Sequence, residues 1–62
     1  MALAIYNYCI RKPWYHHIRE PADLRSAVKK ATVEFIMETG ASPDDAFGVT
    51  NQVIELLNGG EN

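Results

Sequence analysis

The run Ala2-Leu3-Ala4-Ile5-Tyr6-Asn7-Tyr8-Cys9-Ile10 decides the fold, because it reads both as a strand and as a helix. Alternation puts Leu3, Ile5, Asn7 and Cys9 on one face and Ala4, Tyr6, Tyr8 and Ile10 on the other. Both sets are largely apolar, and isoleucine, tyrosine and cysteine suit a pleated surface covered on two sides. Against this, alanine and leucine are good helix formers, and Leu3, Tyr6 and Ile10 share one helical face. Periodicity alone does not arbitrate a run this short. We read it as a strand. The expected class is therefore α+β, with a short N-terminal β-hairpin or arm over residues 1–19 packed on a two-helix hairpin. The helical reading of the same run gives an all-α chain of three helices.

Immediately beyond this run, Arg11-Lys12-Pro13 interrupts the chain, since proline biases Lys12 away from the helical region and fixes the φ of a turn. Trp14 to Arg19 reads as a second short strand. Two strands alone are marginal in water, so they must lie on the helices or pair with another subunit.

The next element is a helix from Pro21 to Thr39. Pro21 suits an early helical position and Asp23 adds negative charge to the first turn. Leu24, Ala27, Val28, Ala31 and Phe35 fall on one narrow apolar stripe. Val33, Ile36 and Met37 make the end of the opposite side apolar as well, and these residues form the expected self-association face.

Gly40-Ala41-Ser42-Pro43-Asp44-Asp45 is the corner of a helical hairpin. Glycine tolerates the left-handed turn that ends a helix. Ser42 is placed to cap the next helix, Pro43 falls at its first position, and Asp44 and Asp45 complement its dipole. The second helix of the hairpin should run from Pro43 to Asn58. Ala46, Phe47, Val49, Val53, Ile54, Leu56 and Leu57 cover about half its circumference, a wider arc than one antiparallel neighbour needs. Gly48 is out of place on its polar side. Either a partner approaches closely there, or the helix breaks and Thr50 caps a second segment. Asn58-Gly59-Gly60 stops the helix, and Glu61-Asn62 should fray.

A chain of 62 residues is one small domain whose core is marginal alone. Association with a second copy is the economical way to enlarge that core, so a homodimer is expected. The single cysteine cannot form an internal disulfide, which points to a reducing, cytoplasmic setting. No apolar run approaches a membrane span, and the N-terminal run lacks the basic start of a signal peptide. The net charge of −2 conceals a strong asymmetry. All six Lys and Arg lie between Arg11 and Lys30, so the first thirty residues, which also hold Glu20 and Asp23, carry +4. The remainder has only Glu34, Glu38, Asp44, Asp45, Glu55 and Glu61, and carries −6. Such a division suits a charged partner, or head-to-tail attraction between protomers.

Chemistry has little to work with. Cys9, His16 and His17 lack the number and spacing of a zinc site, and on a strand adjacent histidines point to opposite faces. Cys9 reads as a small buried thiol rather than a nucleophile. Glu34 and Glu38 share a helix face as solvated carboxylates commonly do. No catalytic residue, metal, cofactor or small-molecule substrate is expected, and the chain is read as a non-enzyme.

The segment Tyr6 to Arg19 is richer, with the only tryptophan, all three tyrosines, both histidines and three of the six cations. Such residues anchor protein interfaces, and they can also neutralise phosphates and stack on bases. The binding expectation rests on Arg11, Lys12, Trp14, Tyr15, His17 and Arg19. The function expected is that of a small regulatory or inhibitory protein that binds a macromolecule. Its partner is more readily a protein than a nucleic acid, met by the basic aromatic segment and the acidic helical half. The alternative is a dimeric nucleic-acid-binding regulator of ribbon–helix–helix architecture, whose β-ribbon reads the major groove. A helix-turn-helix over Val33 to Ile54 fails on charge, because its second helix has no cation.

Overall fold

The computed structural model describes residues 1–59, and these form helices only. They are α1 (Ala2–Ile10), a 3-10 turn (Pro13–His16), α2 (Pro21–Thr39), α3 (Pro43–Gly48) and α4 (Thr50–Leu57). The α+β expectation is thereby corrected to all-α, with four helices rather than the three of the alternative reading. The expected stop at Gly60 and the fraying of Glu61-Asn62 lie outside the described residues.

The N-terminal run shows why the strand reading failed. Ile5 and Cys9, four residues apart, are both 0% exposed, while Leu3 is 62% exposed and Asn7 is also exposed. Strand alternation groups all four on one face. A helical period separates them, turning Ile5 and Cys9 inward with Ala2 and releasing the polar Asn7 to water. The helix also meets its own backbone hydrogen bonds, which a two-stranded hairpin does only in part.

Trp14 to Arg19 is likewise not a strand. Lys12 is extended (φ −83°, ψ 143°), as a residue before proline should be, and Pro13 opens the 3-10 turn. The turn closes with the backbone N–H of His17 and of Ile18 both donating to the Trp14 carbonyl. Lacking any strand among the described residues, the chain has no β-ribbon on which a ribbon–helix–helix reading can rest.

α2 is the spine. Its buried residues Leu24, Val28, Ala31 and Thr32 face α1, α3 and α4, all of which pack on it. The Thr32 hydroxyl avoids an unmet bond by donating to the Val28 carbonyl at 2.7 Å. Gly40 ends the helix in the left-handed region (φ +74°), and its N–H donates to the Ile36 carbonyl at 2.8 Å. Ser42 then sits at the N-cap of α3 with an extended backbone, but its hydroxyl makes no capping bond. The start of α3 depends instead on Pro43 and on the carboxylates of Asp44 and Asp45 in its first turn.

The single helix expected over Pro43–Asn58 breaks at Val49. The Thr50 hydroxyl turns back to the Phe47 carbonyl at 2.9 Å, serving an acceptor that the end of α3 leaves free. The break lets α4 meet both α1 and α2, which accounts for its wide apolar arc. Ile5, Cys9, Leu24, Val28, Ala31, Ala46 and Val53 form the resulting core. At Gly48, a β-carbon would meet nothing within 4 Å, and the residue does not occupy the left-handed region. Gly48→Ala is therefore expected to stabilise the fold by about 0.4–1 kcal/mol, mainly by restricting the unfolded chain. A thermal melt checks this. An unchanged or lower midpoint would mean that the break at Val49 needs the glycine.

Candidate functional site

The connection from α1 to α2 carries the residues singled out for binding, and packing divides them into three groups. Lys12 and Trp14 are structural. The Lys12 ammonium pairs with Glu34 of α2 at 3.0 Å and lies 4.5 Å from the centre of the Tyr8 ring. The Tyr8 hydroxyl donates to Glu38 at 2.6 Å and more weakly to Glu34 at 3.4 Å. Its ring meets Phe35 edge-on, with centroids 5.8 Å apart. These contacts clamp α1 along the second half of α2. Glu34 and Glu38, expected to be free in solvent, are thus half of a packing contact. Hydrogen bonding to Lys12 holds the Glu34 carboxyl below its ordinary value, and bonding to Glu38 raises the Tyr8 phenol above its own. Trp14 is half-buried against the core.

Tyr15 and Arg19 form the second group, at the mouth of a cleft of about 290 Å3. Ile18, Pro21, Leu24 and Leu57 supply its apolar walls, and Glu20 and Asn58 complete the rim. Leu24 is buried and so forms the floor, while Arg19 and Glu20 are exposed. The cleft exists because the 3-10 turn and the start of α2 meet the end of α4 there. Leu57, more than forty residues from the turn, could not be linked to it from sequence, and Leu24 read only as core. The rim carries both a guanidinium and a carboxylate, and neither takes part in an ion pair among the described residues. The volume is at the small end for ligand pockets. It suits one large apolar side chain of a partner.

Arg11 and His17 form the third group, exposed but not lining the cleft. His16 meets Tyr15 edge-on, with ring centroids 5.4 Å apart. On α2, Val33 and Met37 of the expected self-association face are 45% and 80% exposed. Ile36 belongs instead with the residues packed on the core.

Cys9 is unsuited to attack. It is fully enclosed, and burial pushes its thiol up to about 11, so the nucleophilic thiolate is scarce near neutrality. Among the described residues no three His, Cys, Asp or Glu come together in a way that could hold a metal ion. No described helix is long and apolar enough to cross a membrane. Compared with family models, curated proteins and solved structures, the chain matches none.

Proposed function

We propose that this chain is a non-enzymatic binding module, a small regulatory or inhibitory protein that acts by occupying a surface of another protein. The observation that carries this reading is the cleft behind Tyr15 and Arg19. A concave apolar floor with an aromatic ring and a guanidinium at its mouth is what interface anchors enter. The partner segment would insert an aliphatic or aromatic side chain between Ile18, Leu24 and Leu57, and set a carboxylate against Arg19. Arg11 and His17 are exposed on the same connection, outside the cleft, and the exposed Asp44, Asp45 and Glu55 give the helical half an acidic surface for a second region of contact. The buried, protonated thiol of Cys9 supports a role without covalent chemistry.

The test is affinity capture from the native host's lysate, with and without nuclease, comparing wild type with Tyr15→Ala and Arg19→Glu. Trp14→Ala is a poor control, because Trp14 packs on the core and its loss would confuse binding with folding. A protein partner should survive nuclease and bind each variant at least about thirtyfold more weakly, as loss of a 2 kcal/mol anchor implies. Equal capture by all three proteins would remove the cleft from consideration. Loss of every partner on nuclease treatment would turn the reading toward nucleic acid.

A further inference from the structure

We infer that the cleft is a site for a free α-amino acid with a large apolar side chain, held as its zwitterion. Arg19 and Glu20 are consecutive residues, both exposed and both lining the cleft. Their α-carbons are therefore about 3.8 Å apart. They nevertheless form no ion pair with each other or with any other described residue. One small patch thus offers a guanidinium and a carboxylate side by side, next to apolar walls made by Ile18, Pro21, Leu24 and Leu57. A ligand that matches this arrangement needs an anion, a cation and an apolar group within a few bonds of one another. A free amino acid carries all three on one carbon.

A residue in the middle of a partner's chain brings neither charge of its own and must borrow both from its neighbours. One at a terminus brings a single charge, and leaves Arg19 or Glu20 unmatched. In the free amino acid the α-carboxylate meets Arg19, whose planar fork suits two oxygens, and the ammonium meets Glu20. The side chain then enters between Ile18 and Leu57, toward the buried Leu24. At about 290 Å3 the cleft suits a single residue better than a longer peptide. Its aliphatic walls favour leucine, isoleucine or phenylalanine over alanine or serine. Such a ligand competes with the anchor of a partner protein. That competition rests on the binding function proposed above, whereas occupancy of the cleft does not.

Methyl resonances of Ile18, Leu24 and Leu57, followed by NMR during titration with L-leucine, test the assignment. All three should shift saturably, with half-saturation on the order of 1 mM. Alanine, which lacks the apolar branch, should bind at least about tenfold more weakly. N-acetyl-leucine lacks the cation and leucinamide the anion. Each should bind about fivefold more weakly than leucine, as loss of one exposed charge pair implies. Glu20→Gln should bring leucine down to the level of N-acetyl-leucine, and Arg19→Gln to that of leucinamide. Both positions are exposed and the Glu20 side chain makes no capping bond, so neither variant disturbs the fold. Methyl shifts that do not saturate overturn the inference, as do equal affinities for leucine, N-acetyl-leucine and leucinamide. Affinity capture is a separate result. A protein partner lost with Tyr15→Ala, together with no response to leucine, would refute the amino-acid site and leave the binding module standing. Leucine binding without a captured partner would do the reverse.

Discussion

Ile5→Ala is expected to leave the chain largely unfolded at 25 °C. Ile5 is the largest side chain of α1 that is wholly removed from water, and it sits in the cluster with Val28 and Val53. Truncating a buried isoleucine to alanine costs about 2–5 kcal/mol, through lost transfer energy and the cavity left behind. A core of this size supplies only about 3–5 kcal/mol in total. The loss therefore approaches the whole stability of the domain. Far-UV circular dichroism should show the helical signal reduced at 25 °C and the cooperative melt gone or shifted far down. Leu3→Ala is the paired control. Leu3 is mostly exposed, so its truncation should change stability by less than about 0.5 kcal/mol. In a strand the two residues would share a face and respond alike, so unequal losses distinguish the helix directly. Equal losses would mean that α1 does not pack as described.

The second large effect is loss of stability at alkaline pH, centred on Cys9. Burial raises its folded-state value from 9.0 to about 11, which favours the neutral thiol in the native chain. Stability linked to a raised value is fully present below the unfolded value and lost as pH rises through the folded one. The window is therefore pH 9 to 11. Across it, a shift of this size corresponds to about 2–3 kcal/mol. Tyr8 and Lys12, both raised by their hydrogen bonds, add to the loss in the same direction, from about pH 10 upward. Thermal melts at pH 7.5 and pH 10.5 should differ sharply for wild type. Cys9→Ala, less stable at neutrality because of the lost sulfur, should show a much smaller fall between the two. A thiol reagent at pH 8 should label wild type only as fast as the chain opens. Rapid labelling, or the same pH fall in Cys9→Ala, would show that the thiol is not enclosed in the core.

What could be read from sequence and what could not follow from the range of the interactions involved. The start of α2 at Pro21 and its end at Gly40 are set by neighbours in the chain: a proline, an acidic first turn and a left-handed glycine. Local rules sufficed there. The class of the fold turned on Ala2–Ile10, where nearly every side chain is apolar and both periods find an apolar face. Asn7 held the useful signal, since only the helical period removes it from the face of Ile5 and Cys9. The packing of the binding segment was hidden for a related reason. Lys12 and Trp14 have the composition of an interface, but Glu34 and the core claim them, and those partners are distant in the chain. The cleft needed Leu57 and Tyr15 to meet, which no local pattern reports. Gly48 did mark the break between α3 and α4, although the hydroxyl of Thr50 serves the end of the first helix rather than the start of the second.

The placement of α1 against α4 has a consequence for synthesis in the cell. Cys9 and Ile5 leave the ribosome about forty residues ahead of α4, the helix that completes their enclosure. Until α4 emerges, a chain that already holds α1 and α2 has two amphipathic helices and one open flank. It cannot fold by accretion from its first residues onward. The domain must instead close in one step once α4 has emerged, and until then its apolar faces are exposed to whatever else is nearby.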